Sequence, residues 1–217
     1  MMDESISNYL EEYLTPRRKS LFDKVLAERT NHLTLVTQDV YQLHNTSAVV
    51  RSCDVFGIQN IHVIEEKFPR RIDKEIAMGA QKWVSINRYN STAACMENLK
   101  KNGYRIVATS PHGNAVTPEE FDLTSPAAIF FGTEKDGLPQ EMIEQADACI
   151  KIPMVGFTES LNISVSAAII LHSLTQRLKH SQISWRLSDE EKFRIRLEWM
   201  KKTIKNSDQI IERFLKS

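Results

Sequence analysis

Short, mostly apolar runs separated by helix-like stretches constrain this chain more than any other feature. HLTLVTQ, NIHVIEE, YRIVATS, AAIFFGTE and ACIKIPM each carry such a run. A strand that is apolar on both sides has to be covered on both faces, which is the setting of a parallel sheet clothed in helices. Between these runs, residues 45 to 56, STAACMENLKKNG, PQEMIEQA and the stretch from Asn162 to about Lys179 have helical spacing. Only KFPRRIDKEIAMGAQKWVSI breaks the alternation. The pattern predicts an α/β fold, one parallel sheet with helices on both faces.

Both ends read as helical extensions. TPRRKSLFDKVLAERT offers Thr15 as a cap, Pro16 at the first helical position and an apolar stripe of Leu21, Phe22, Val25 and Leu26. The tail from Ser188 reads as one further helix, opened by a Ser188–Glu191 capping box. Its stripe of Phe193, Leu197, Met200 and Ile204 has to bury against the domain body or a partner subunit. Three segments are expected: a helical extension over 1–31, the α/β domain over 32–180 and a second helical extension over 181–217.

Composition narrows the function classes. No apolar run approaches the roughly 20 residues of a membrane span, and MMDESISNYLEEY lacks the layout of a signal peptide. Cys53, Cys95 and Cys149 are odd in number and set among apolar residues, which suits reduced core thiols in a cytoplasmic protein. The six histidines never fall at metal-ligand spacing, so no metal site is expected. Net charge is zero, but it is unevenly spread. From Gln176 onward there are 11 Lys and Arg against 6 Asp and Glu, and Arg17-Arg18-Lys19 forms a second basic knot. Such ends suit contact with a polyanion; solvated helix faces are the alternative.

In an open α/β sheet, ligands sit beyond the C-terminal ends of the strands. The loops ATSPHGN, GTEKDGLP and PMVGFTESLN stand there. GTEKDG spaces its glycines as a phosphate-binding loop would, yet Leu138-Pro139 occupies the place of the required Lys and Ser or Thr. No two glycines are separated by a single residue, so the dinucleotide fingerprint is absent as well. A nucleoside ligand without a phosphate fits these loops, and S-adenosylmethionine is one. Gly132, Gly137 and Gly156 permit a close approach of backbone to ligand.

NTSAVVR, FGTEKDGLP and IPMVGFTESLNISVSAAI resemble the three motifs of the SpoU branch of the SPOUT methyltransferases, in order and in separation, over about residues 32 to 178. The helical extensions are similar to those of its tRNA guanosine-2′-O-methyltransferase group. The resemblance implies a trefoil-knotted α/β domain and a homodimer. It also implies S-adenosylmethionine held largely by main-chain groups at Thr109, Ile152 and Leu161, with Gly132 and Gly156 shaping the pocket. The implied reaction is methyl transfer to the ribose 2′-hydroxyl of a D-loop guanosine, position 18, in tRNA. Ribosomal RNA, another tRNA position or an idle RNA-binding role are the alternatives.

The same resemblance assigns catalytic positions to Asn45, Arg51, Glu134, Ser160 and Asn162. Arg51 would stand at the reacting ribose; by spacing alone it could equally pair on the surface with Asp54 or Ser47. Arginine keeps its proton at neutral pH, and removing it over five pH units would cost roughly 7 kcal/mol. A charged Arg51 that steadies the developing alkoxide and grips a phosphate is therefore preferred to a general base. Asn45 is read as a helix cap, a chemical group, or both. Glu134 either closes its loop or positions substrate. Ser160 and Asn162 stand where a helix is capped, with Asn162 reaching toward Arg51 or the ribose. His44 and His112 lie near the loops without an assigned role. The RNA grip is assigned to Arg17, Arg18, Lys19, Arg177, Arg186, Arg194 and Arg196.

Overall fold

The computed structural model describes residues 2–40, 43–66, 77–110, 114–133, 136–158 and 160–216, without the side chains of 43 and 44. Glu134, His112 and the side chain of His44 lie outside the described residues. The chain divides into two compact units, Thr30–Trp185 and a second one built from Met1–Arg29 together with Arg186–Ser217.

The larger unit holds six strands: β1 (Leu33–Gln38), β2 (Asn60–Ile64), β3 (Ser85–Tyr89), β4 (Arg105–Thr109), β5 (Ala127–Phe131) and β6 (Ala148–Ile150). They form one sheet in the order β3-β2-β1-β5-β4-β6, and every pairing is parallel. Every residue of β1 and β5 is buried, as central strands require, including Thr34, Thr37 and Gln38 of β1. The chain runs outward from β1 through β2 to β3 and then crosses to β4 on the other side of β1. Such a reversal opens a crevice beyond the strand ends.

Helices α3 (Leu43–Phe56) and α6 (Ile163–Lys179) pack together, and both contribute to the core on one face of the sheet. From α3 come Val49, Val50 and Cys53; from α6 come Ala167, Ile170, Leu171 and Leu174. Each of these side chains contributes about 1–3 kcal/mol on burial, more for leucine than for alanine. The opposite face is covered by α4 (Thr92–Lys101) and the short α5 (Gln140–Glu144), through Cys95, Met96, Leu99 and Met142. Ser91 caps α4 by accepting from Ala94 N at 3.1 Å, and Gly103 ends it at φ +80.

β3 begins at the end of the stretch that the sequence pattern leaves broken. Its SINRY has no fully buried residue, because an edge strand exposes what a central strand hides. None of the three cysteines is in a disulfide; Cys53 and Cys95 are buried, and burial pushes the Cys95 thiol up to about 12.

The smaller unit contains α1 (Met2–Glu11), α2 (Pro16–Leu26), α7 (Asp189–Thr203) and α8 (Ser207–Lys216). The expected single tail helix is two helices, interrupted at Asn206, which takes a left-handed φ of 58. The Ser188–Glu191 capping box is present. Leu197 and Met200 bury inside this unit along with Ile195 and Trp199, so the tail stripe finds its partner in the first helices. Phe22 meets Trp199 edge to face at 5.5 Å.

Candidate active site

Beyond the ends of β4, β5 and β6 lies a cleft of about 570 Å³, within the usual range for small-molecule sites. Its lining includes Thr109 at the end of β4, Gly132 after β5, Ile152 after β6, and Ser160 and Leu161 before α6. Four of the five residues expected to hold the cofactor are thus together. Gly156 is not: it is exposed, outside the lining, and a Cβ there would meet nothing nearer than Thr158 N at 3.9 Å.

Gly132 is required by geometry. A Cβ at this position would stand 2.1 Å from the backbone C and O of Gly137 and 2.3 Å from Leu138 N. The loop closes on itself through two backbone hydrogen bonds between Thr133 and Gly137, at 3.0 and 3.1 Å. Asp136 N donates to Thr133 Oγ1 at 3.0 Å and fixes the turn further. Gly137 takes φ +69, where glycine carries no steric cost. The Thr109 hydroxyl donates to Phe130 O at 2.8 Å, tying the end of β4 to β5.

The lining is mixed, with Leu138, Ile143 and Ile150 among its apolar walls and several hydroxyls between them. Two charged residues join it, Asp136 and Lys151, neither singled out by the sequence patterns. The signal for Lys151 was available as a lone charge inside the apolar run ACIKIPM. An adenine-bearing ligand with a short charged arm suits this surface.

The expected catalytic residues converge in part. Asn162 caps α6: its Oδ1 accepts from Ser164 N at 2.8 Å and from Ser164 Oγ at 2.6 Å. Its Nδ2 donates to Asn45 Oδ1 at 3.0 Å, joining α6 to α3. Asn162 was expected to reach Arg51 or the ribose; within the chain its partner is Asn45. Asn45 itself does not cap α3, because the helix begins at Leu43 and Asn45 is buried inside its first turns. Ser160 borders the cleft and leaves the cap to Asn162.

Arg51 sits on the exposed side of α3, outside the described lining of the cleft. Six residues along a helix separate it from Asn45 by about 9 Å and turn it about 120° away. Neither Asp54 nor Ser47 holds its side chain, and no ion pair ties it among the described residues.

The seven cations assigned to RNA differ in their freedom. Arg196 is largely covered: its Nε and Nη2 reach Glu11 Oε1 at 3.0 and 2.9 Å, and its Nη1 reaches Asp23. Arg177 donates to Pro118 O from a half-buried position. Lys19 lies 3.8 Å from Glu11. Arg17, Arg186 and Arg194 are exposed, and Arg18 is half-exposed.

Among the described residues no cluster of three His, Cys, Asp or Glu could hold a metal ion, and no helix is long and apolar enough to cross a membrane.

Residues 32–172 match the SpoU rRNA Methylase family. The chain is similar to a tRNA (guanosine(18)-2'-O)-methyltransferase of Borreliella burgdorferi, 39% identical over 208 residues, 96% of this chain and 95% of that protein. The enzyme of that name from Thermus thermophilus is 34% identical over 190 residues, 87% of this chain and 98% of its own. Among solved structures, the TrmH/SpoU tRNA modifying enzyme of A. aeolicus superposes with a TM-score of 0.77 at 34% identity, covering 87% of this chain and 98% of the other. The SpoU methyltransferase AviRb of Streptomyces viridochromogenes in complex with AdoMet shares the fold, with a TM-score of 0.62 at 23% identity over 73% of this chain and 62% of the other.

Proposed function

This chain belongs to the SpoU methylase family, and from that premise we infer that it transfers a methyl group from S-adenosylmethionine to the ribose 2′-hydroxyl of guanosine 18 in tRNA. The observation that carries the substrate is the likeness to a tRNA (guanosine(18)-2'-O)-methyltransferase along 95% of that protein's length. The cleft supports the cofactor, since it offers apolar walls and hydroxyls without a phosphate grip.

When bound, the cofactor supplies a methyl group on a positive sulfonium. Thr109, Gly132, Ile152 and Leu161 hold it in the cleft, with Gly132 keeping the loop after β5 closed. The attacking ribose oxygen gathers negative charge as it takes the methyl group; the carbon–sulfur bond breaks to leave a neutral thioether, and the hydroxyl proton passes to solvent water. Arg51 steadies that charge and grips an adjacent phosphate through its planar fork of donors. Asn45, Asn162 and Ser160 order the junction of α3 and α6 around the ribose, and Glu134 belongs to the same motif set. Arg17, Arg186 and Arg194, with the half-exposed Arg18 and Lys19, take the RNA phosphates, and the place of work is the cytoplasm with tRNA.

The active form is a homodimer. Val165 and Ile169, one turn apart on α6, are 45% and 40% exposed, and the neighbouring loop presents Val155 and Phe157 fully to solvent. An apolar surface of this kind is a candidate for protein contact. A pair formed through α6 would bring Arg51, on the adjoining helix, close to the seam between the copies.

Incubation of the purified protein with labelled methyl donor and total tRNA, followed by mapping of the modified nucleotide, tests the activity. Label at guanosine 18 is the expected result. Label in ribosomal RNA alone, or in no RNA, overturns it. Sedimentation tests the dimer: Val165→Asp with Ile169→Asp should yield a folded monomer.

A further inference from the structure

The cleft carries two charges that nucleoside binding does not call for. Adenine and ribose are neutral, so hydroxyls and apolar walls suffice for them. Yet Asp136 and Lys151 both border the cleft, and they are its only charged residues among those described. No ion pair joins them, and no other described residue neutralises either one.

Both are presented from fixed backbone. Asp136 stands in the turn pinned by Thr133 Oγ1 at 3.0 Å and closed by the paired hydrogen bonds between Thr133 and Gly137. The N–H of Lys151 donates to Val116 O at 2.9 Å, so the chain after β6 is held as well. Opposite charges left unpaired at a cleft of this size suit a ligand that itself carries one group of each sign.

We propose that Lys151 binds the carboxylate and Asp136 the ammonium of the methyl donor's amino-acid arm, so that this pair sets the cleft's selectivity for the complete donor over its shortened analogues. The assignment rests on the methyl-donor reading above. The arm is thereby anchored by the two charges, and the adenine is left to the apolar walls.

Equilibrium binding on the full chain separates the possibilities. Three ligands share the adenosine and its sulfur: S-adenosylhomocysteine, a thioether whose arm has both charged groups; decarboxylated S-adenosylmethionine, a sulfonium whose arm has the ammonium alone; and 5′-methylthioadenosine, a thioether whose arm has neither. Charge-assisted hydrogen bonds of this kind predict that Lys151→Met and Asp136→Asn each weaken S-adenosylhomocysteine about five- to tenfold. Both variants should bind 5′-methylthioadenosine as the wild type does, which also shows the cleft to be intact. Decarboxylated S-adenosylmethionine should weaken in Asp136→Asn only. Unchanged affinity for S-adenosylhomocysteine in the variants, or an equal loss for 5′-methylthioadenosine, overturns the proposal while leaving the methyltransferase reading in place. A wild-type chain that binds none of the three ligands overturns both.

Discussion

The side-chain amide of Asn162 donates to Oδ1 of Asn45 over 3.0 Å, linking the N-terminus of α6 to the interior of α3 across 117 positions of sequence. One residue thereby caps a helix at the edge of the cleft and fixes the helix that bears Arg51.

Those two duties can be separated. Serine also caps helices well but lacks the amide donor. Asn162→Ser should cost only about 0.5–1.5 kcal/mol, the net worth of the lost hydrogen bond to Asn45, because the cap survives. Methyl incorporation should fall by about tenfold or more, since the link to Asn45 at the reacting junction is gone. Urea unfolding beside a turnover assay checks both halves. A variant that unfolds early yet turns over normally would show that the cap is the residue's whole contribution.

Arg51→Lys keeps a positive charge and removes the planar fork. Turnover should drop about 100-fold with cofactor affinity unchanged, in the range seen when a transition-state donor is lost. Near wild-type turnover would mean that charge alone suffices and that two-point contact plays no part.

Binding of tRNA should weaken steeply with salt, and the slope should fall by about one for each phosphate contact removed. Alanine at Arg17 or Arg194, both exposed, should show this without loss of stability. Alanine at Arg196 should instead cost about 1–3 kcal/mol, because Glu11 and Asp23 lose their shared partner. Affinity measured between 50 and 200 mM salt, with melting curves in parallel, distinguishes the two groups.

His62 sits buried on β2, its Nδ1 3.0 Å from the Tyr89 hydroxyl, and burial lowers its pKa to about 4. The unfolded chain has the ordinary value near 6.5 and takes up the proton first. Stability should therefore be full above pH 6.5 and decline as pH falls toward 4, by about 3 kcal/mol for this group. The difference in urea midpoint between wild type and His62→Gln should accordingly change across that window. A constant difference from pH 7 to pH 4 would contradict it.

Central features were legible because they depend on local pattern. The unbroken apolar run of β5 and the β-branched, mostly apolar β1 read as covered strands, and the apolar positions of α3 announced a helix set against a core. SINRY could not be read in the same way: an edge strand keeps polar residues on view, and its neighbours in sequence are no guide to its pairing with β2. Asn45 looked like a cap because asparagine favours that position; the contact that holds it comes from Asn162, far beyond any local spacing. The same limit hid Arg196, whose acidic partners lie on the first two helices. The interruption of the tail at Asn206 had a visible sign, since asparagine tolerates the left-handed region.

The helical unit formed from Met1–Arg29 and Arg186–Ser217 has a consequence for how the protein is made. Synthesis proceeds at about 5–20 residues per second, so α1 and α2 emerge roughly 10 to 30 s before the helices they pack against. During that wait Leu10 and Phe22, buried in the finished protein, have no neighbour of their own to cover them. The sheet can assemble meanwhile, but the first helices stay dependent on solvent or a chaperone until translation nears its close.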